Sequence, residues 1–160
     1  MKKINFDDPW LKKNVENPQD DIYKASNQWT YLQQFIQGID FSYNTMIRQD
    51  LKKKHSSYKS QDKKKNRYDE TQHISYDELL GKLVDSQLKC YYCQEDLILI
   101  YKNKNEKKQW SLERFNNLLG HYATNTCISC LKCNLQRRNE NHEYFKQSKQ
   151  MKVVKYDETK

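Results

Sequence analysis

The chain has 160 residues, of which 31% are charged and only 36% hydrophobic, and its formal net charge is +8. So small an apolar fraction rarely stabilises a fold of this size unaided, which favours a structural metal. The basic balance indicates a polyanionic partner, nucleic acid first, with a merely solubilising surface as the alternative. No apolar run approaches the roughly 18 residues of a membrane span, so we expect neither membrane insertion nor secretion.

The cysteines carry the strongest signal in the sequence. Four of the five lie in two CxxC pairs, Cys90 with Cys93 and Cys130 with Cys133. A CxxC knuckle directs both sulfurs at one point, and two knuckles complete a tetrahedral four-sulfur shell. The sequence therefore predicts structural Zn²⁺ and an intracellular, reducing compartment, cytoplasm or nucleus. The fifth cysteine, Cys127, is predicted to be a packing residue.

Residues 1–70 are predicted to form an arm, two short helices and a linker. Residues 1–20 contain both prolines and no periodicity, which indicates an extended arm, held in place by Trp10 and Leu11. The first helix is predicted from Ser26 to a stop at Gly38. The second is predicted from Ser42 to about Lys54. Their inward faces are Trp29, Leu32, Phe35 and Ile36, and then Tyr43, Met46, Ile47 and Leu51.

Residues 52–70 are rich in lysine and show little apolar periodicity. The pattern predicts a polar linker without regular structure. Two functions remain open for it. It is either a solvated connector or an arm that follows phosphates and adds salt-dependent affinity for nucleic acid.

Residues 71–150 are predicted to form the zinc domain of an α+β protein, followed by a tail over residues 151–160. Ser75 and Glu78 form a capping box, and the apolar face after them extends to Leu88. Gly120 is expected where the backbone needs a positive φ. Three strands are predicted, at 97–101, 109–114 and 126–129. A helix is predicted from the second knuckle to about Arg138, with a further helical stretch at Tyr144 and Phe145.

Two strands followed by a helix that carries the second cysteine pair form a ββα-metal (treble-clef-like) arrangement. The residues in it resemble the HNH endonuclease family in its four-cysteine zinc form, especially HNH-like proteins of large DNA viruses and mobile elements. The matching positions are Leu112-Glu113-Arg114, Gly120-His121, Asn125 and Cys130-Leu-Lys-Cys133-Asn134. The resemblance covers about residues 75–147 and says nothing about residues 1–70.

The resemblance implies a catalytic Mg²⁺ or Mn²⁺ held by Glu113 and Asn134, since carboxylate and amide oxygens are hard ligands. In the family a histidine after the acidic residue deprotonates the attacking water. Arg114 stands at that position, and a guanidinium stays protonated, so it cannot be an ordinary base. It can clamp a phosphate instead. His121 is the nearest replacement base, with loop bracing or a place beside the zinc as its alternatives.

The remaining site residues also follow from the resemblance. Asn125 is expected to pin the loop and serve catalysis indirectly. Lys132, Arg137 and Arg138 are expected to present positive charge to the phosphate backbone along one helix.

The other histidines, His55, His73 and His142, are predicted to lie at the surface.

The function predicted from these residues is metal-dependent phosphodiester hydrolysis by an HNH-type endonuclease, with double-stranded DNA as its partner. The alternative is a non-catalytic zinc module that binds nucleic acid on a degenerate HNH scaffold. A protein-interaction adaptor on a treble clef is a weaker third interpretation. Cleavage specificity, DNA against RNA and oligomeric state stay open.

Overall fold

The computed structural model describes residues 20–155, in which helices surround a small sheet. The helices are α1 (Ala25–Ile36), α2 (Asn44–Lys64), α3 (Tyr76–Asp85), α4 (Leu131–Arg137) and α5 (His142–Gln150). The strands are β1 (Trp110–Arg114) and β2 (Thr126–Cys130), and short 3-10 helices cover Asp20–Tyr23 and Ala123–Asn125. This is the mixed helix and strand class that the sequence predicts. Residues 1–19 of the predicted arm over residues 1–20, and residues 156–160 of the tail, lie outside the described residues.

The first helix forms much as predicted, and Gly38 ends it. Leu32 is completely buried, while Ile36 is 42% exposed and contributes little to the core. Gly38 has a φ of +71°, a conformation that glycine adopts without steric cost. The buried side chain of Gln28 accepts from the backbone N–H groups of Leu99 and Ile100, at 3.0 and 2.8 Å.

The second helix runs ten residues beyond its predicted end, because α2 continues from Asn44 to Lys64. Most of the predicted linker is therefore helical, and that prediction was wrong. Ile47 and Leu51 are buried on its inner face, as predicted. About two and three turns after Leu51, the same face carries Tyr58 and Asp62 in place of aliphatic residues. Tyr58 accepts a hydrogen bond from the backbone N–H of Leu112 at 3.0 Å, which holds α2 against the free edge of β1.

The third helix starts at the predicted capping box. Ser75 Oγ accepts from Glu78 N at 3.1 Å, and the Glu78 carboxylate accepts from Ser75 N at 2.8 Å. The helix ends at Asp85, earlier than the apolar pattern suggests, because Gln87 and Leu88 have φ values of 51° and 52°. Leu88 is still buried.

Residues 97–101 do not form the predicted strand. Among the described residues, this run makes a single bridge, between Ile98 and Gln109. Two of its backbone donors are already satisfied by Gln28, so they are not available to a neighbouring strand. The observed sheet is instead the antiparallel pair β1 and β2, with Trp110 opposite Cys130 and Arg114 opposite Thr126.

The loop between the strands turns at Gly120, although not for the predicted reason, since its φ is not in the positive range. A Cβ at Gly120 would lie 2.4 Å from the carbonyl oxygen of Arg67 and 2.9 Å from Asp62 Oδ2. Glycine is therefore needed here because the end of α2 approaches the loop closely.

One buried apolar cluster joins residues of α1, α2, α3 and both strands.

Candidate functional site

The two CxxC pairs converge, as predicted. Ligand atoms of Cys90, Cys93, Cys130 and Cys133 all lie within 4.8 Å of one another. A tetrahedral zinc ion with Zn–S bonds of about 2.3 Å needs sulfurs about 3.8 Å apart, so the cluster fits the metal. Backbone N–H groups point at two of the sulfurs: Cys130 N lies 3.3 Å from Cys90 Sγ, and Cys133 N lies 3.3 Å from Cys130 Sγ. These donors favour thiolates, the form that binds metal.

The sheet positions the two knuckles. The first is tied to β2 by a hydrogen bond from Tyr91 N to Ile128 O at 2.9 Å. The second stands where β2 ends and α4 begins, with Cys130 as the N-cap of α4. A metal ion here would join a loop, a strand and a helix.

Glu113 is buried and is already paired. Its relative exposure is 3%, and its Oε1 accepts from Arg137 Nε at 2.6 Å and Nη2 at 2.5 Å. The Tyr92 hydroxyl donates to Oε2, and the thiol of Cys127, buried as predicted, lies 3.9 Å from the same oxygen. Burial raises the pKa of Glu113, and the hydrogen bonds from Tyr92 and Arg137 oppose that rise.

Asn134 faces a different partner from the one predicted. Its amide Nδ2 donates to Ser111 Oγ at 3.1 Å, two residues before Glu113 on β1. Glu113 and Asn134 therefore occupy adjacent but separate contacts between β1 and α4. With the Glu113 charge neutralised by Arg137, this pair does not fit a catalytic Mg²⁺ or Mn²⁺.

The helix α4 presents less positive charge than the sequence suggests. Arg137 is only 2% exposed, which corrects its prediction as a phosphate contact. It lies on the face of α4 that packs against β1, because it follows Asn134 by three residues. Lys132 and Arg138 are exposed and remain available to a polyanion.

Arg114 is half-buried and directed towards the loop and the end of α2. Its Nη1 donates to Leu119 O at 3.1 Å. Burial, and then the nearby charge of Arg67, lowers the pKa of Arg114. A cavity of about 170 Å³ opens beside it, and its lining is mostly cationic: Gln61, Asp62, Lys64, Lys65, Arg67 and Arg114.

His121 is held by a residue that the sequence analysis missed. Its Nδ1 lies 2.8 Å from Asp62 Oδ1, and its backbone N donates to Asp62 Oδ2 at 2.7 Å. Nε2 has no hydrogen-bond partner among residues 20–155. The imidazole is 5% exposed, and burial lowers its pKa to about 4, with Asp62 acting in the opposite direction. His121 is therefore neutral at pH 7 and braces the loop against α2.

A second histidine lies beside Asp62: His73 Nδ1 is 3.3 Å from Asp62 Oδ2, although neither ring nitrogen of His73 has a hydrogen-bond partner among the described residues. The His73 side chain is 5% exposed, so the prediction of a surface histidine was wrong. His55 is half-buried, with Nε2 at 2.7 Å from Ile74 O. A carboxylate in a lysine-rich stretch looks like a solvated residue. The only sign of the buried position of Asp62 in the sequence is its spacing of 11 and 15 residues from Leu51 and Ile47, which places the three on one face of a helix.

Asn125 pins the loop in the way that the resemblance implies. Its Nδ2 donates to Asn116 O and Gly120 O at 3.0 and 3.1 Å, and its Oδ1 accepts from Asn116 N at 3.0 Å. The side chain is buried, so its role here is to fix the backbone.

Comparison of the chain with protein-family models, with curated proteins and with solved structures gives no match. In the part of the chain that the structure describes, none of the helices has the length and apolar character needed to cross a bilayer.

Proposed function

We propose that this chain is a zinc-stabilised module that binds the phosphate backbone of double-stranded DNA on an HNH-like ββα scaffold. The cationic cavity at the end of α2 carries the proposal. It is lined by Lys64, Lys65, Arg67 and Arg114, and Arg114 stands where the HNH nucleases that the motif resembles have their catalytic histidine. Zn²⁺ held by the four cysteines is the metal that this module requires.

The charge around the cavity favours an anion. Four cationic side chains and one carboxylate line it, and that carboxylate is already hydrogen-bonded to the imidazole and the backbone N–H of His121. Like charges that lie close together repel one another, and solvent screens this repulsion least at Arg67 and Arg114, which are half-buried. A phosphate would relieve this repulsion, and Arg114 can donate to it with the nitrogens that the loop leaves free.

A second set of lysines lies on another side of α2, away from the helix residues that line the cavity. Lys52, Lys59 and Lys63 follow one another at spacings of seven and four residues, so they lie along one side of the helix. The helix has 21 residues and is therefore about 32 Å long, close to one turn of duplex DNA. The basic stretch and the HNH-like motif meet in the cavity itself, where Lys64 and Lys65 lie beside Arg114.

The test is the salt dependence of binding to a duplex of mixed sequence. A variant with Lys64→Gln, Lys65→Gln and Arg67→Gln should bind duplex DNA more weakly than wild type does, whatever the base sequence of the duplex. Its slope of log affinity against log salt should be smaller by about 2 to 3. The matched control changes three exposed lysines of the loop between residues 102 and 108: Lys102→Gln, Lys104→Gln and Lys108→Gln. Equal slopes in the two triple variants would place the DNA elsewhere on the molecule.

The second candidate is an HNH-type endonuclease, and the pairing of Asp62 with His121 favours it. A carboxylate on Nδ1 sets the tautomer that leaves Nε2 as the proton acceptor, which is how bases are oriented in hydrolases. The low pKa and 5% exposure of His121 weaken it as a base. The binding module and the endonuclease are distinguished by incubating plasmid DNA with the protein in the presence of Mg²⁺, of Mn²⁺ or of a chelator, and measuring cleavage. Cleavage lost in His121→Gln, with DNA binding retained, would favour the nuclease.

A further inference from the structure

The guanidinium of Arg137 sits among oxygen atoms from three segments of the chain. Nε and Nη2 contact Glu113 Oε1, and Nη1 donates to Glu140 O at 2.6 Å. Nη2 also donates to Arg114 O at 2.5 Å and reaches Asn117 Oδ1 at 3.3 Å. The group thus ties the end of β1, the loop after it and the turn between α4 and α5.

The ligand chemistry around Arg137 is that of a hard-cation site. One carboxylate oxygen, two backbone carbonyl oxygens and one amide oxygen surround the positive charge. Carboxylate, carbonyl and amide oxygens are the donors that Ca²⁺, Mg²⁺ and Mn²⁺ take in proteins. Both Arg137 and Glu113 are almost completely buried, so solvent does not supply the charge balance.

We infer that Arg137 is a built-in cation: its guanidinium fills an oxygen cage that would otherwise hold a hard divalent metal ion. The cage consists of Glu113 Oε1, Arg114 O, Asn117 Oδ1 and Glu140 O. The native chain therefore binds no divalent cation at this place, and its loop is ordered without one. The inference goes beyond the proposed function and does not depend on DNA binding.

The experiment removes the guanidinium and offers Mn²⁺, a paramagnetic probe for such a site. The zinc-loaded full chain carrying Arg137→Ser should bind one equivalent of Mn²⁺, with a dissociation constant of about 10⁻⁴ to 10⁻³ M, and Mn²⁺ should raise its melting temperature. Wild type should show neither effect. The double variant Glu113→Gln with Arg137→Ser should also show neither, because the cage has lost its only carboxylate.

Two further readouts make the outcome decisive. Arg137→Lys keeps a positive charge near the cage and should exclude Mn²⁺ as wild type does. Selective Mn²⁺ broadening of the backbone amide signals of Asn117 and Glu140 should appear in Arg137→Ser alone. The same broadening in wild type would overturn the inference. The inference would also be overturned if the Arg137→Ser chain folds but binds no Mn²⁺, or if it does not fold when Mn²⁺ is present.

Discussion

At the scale of single residues, the buried polar groups determine how the site is arranged. Asp62 binds the imidazole and the backbone of His121, and Arg137 neutralises Glu113. Each of these groups is costly to bury alone, because a buried charge or unpaired donor loses its hydration. Their pairing fixes the loop after β1 and the end of α2 relative to each other.

The lowered pKa of His121 predicts acid sensitivity. An unfolded histidine titrates near pH 6.5, whereas burial holds the pKa of His121 at about 4 in the folded chain. Between these values the unfolded state binds more protons, so stability falls as pH decreases. Wild type should lose about 2 kcal/mol more of its unfolding free energy than His121→Gln between pH 7 and pH 5.

Denaturant unfolding at several pH values measures this difference, with zinc content checked at each pH. The variant keeps an amide that can donate to Asp62, which makes it the matched control. A parallel loss of stability in both chains would assign the acid sensitivity to other groups.

At the scale of elements, α2 is where local pattern and tertiary structure differ most. Its last ten residues include lysines, serines and a glutamine and have no aliphatic stripe, and this composition predicted a linker. They are helical because His55, Tyr58 and Asp62 lie on the inner face and each makes a specific contact there. Hydrogen bonds to the rest of the chain thus replace aliphatic packing along this half of the helix.

A proline substitution distinguishes a helix from a linker at this point. Ser60 is exposed and lies inside α2, so Ser60→Pro should lower the unfolding free energy by about 3 kcal/mol through a lost hydrogen bond and a backbone clash. Ser60→Ala should be neutral or slightly stabilising, since alanine is the better helix former. Thermal or denaturant unfolding measures both. A proline variant as stable as wild type would mean that this stretch is not helical.

At the scale of the whole molecule, the cysteine cluster and the apolar core together hold a chain of low hydrophobic content. The four sulfurs connect the residues after α3 to β2 and α4, and the core joins these elements to α1 and α2. Metal binding to such a cluster contributes directly to folding free energy, because the unfolded chain has no preformed site.

Loss of the metal should therefore unfold the chain. Cys90→Ser should reduce bound zinc and lose the helical circular dichroism signal at 37 °C, and a strong chelator should do the same to wild type. Cys127→Ser should keep its zinc, because Cys127 contacts Glu113 and is not part of the cluster. Metal analysis with circular dichroism checks both. Equal zinc in Cys90→Ser and wild type would contradict the four-sulfur assignment.

The sequence by itself determined the features that depend on neighbouring residues. The CxxC spacing predicted the convergent cysteines, the Ser75 and Glu78 pair predicted the start of α3, and Gly38 predicted the end of α1. The capping box, the glycine and each single CxxC pair involve a few adjacent residues, so local backbone geometry sets them. The two pairs lie 40 residues apart, and what predicts their meeting is the need of a zinc ion for four ligands.

Tertiary structure decided what depends on partners far apart in the sequence. Residues 97–101 have strand composition, yet their donors meet Gln28 of α1, about 70 residues away. The sequence predicted Glu113 as a metal ligand and Arg137 as a phosphate contact. In the structure the two side chains form an ion pair between β1 and α4 and neutralise each other. A charged side chain takes the nearest opposite charge once it is buried, and only the fold determines which charge that is.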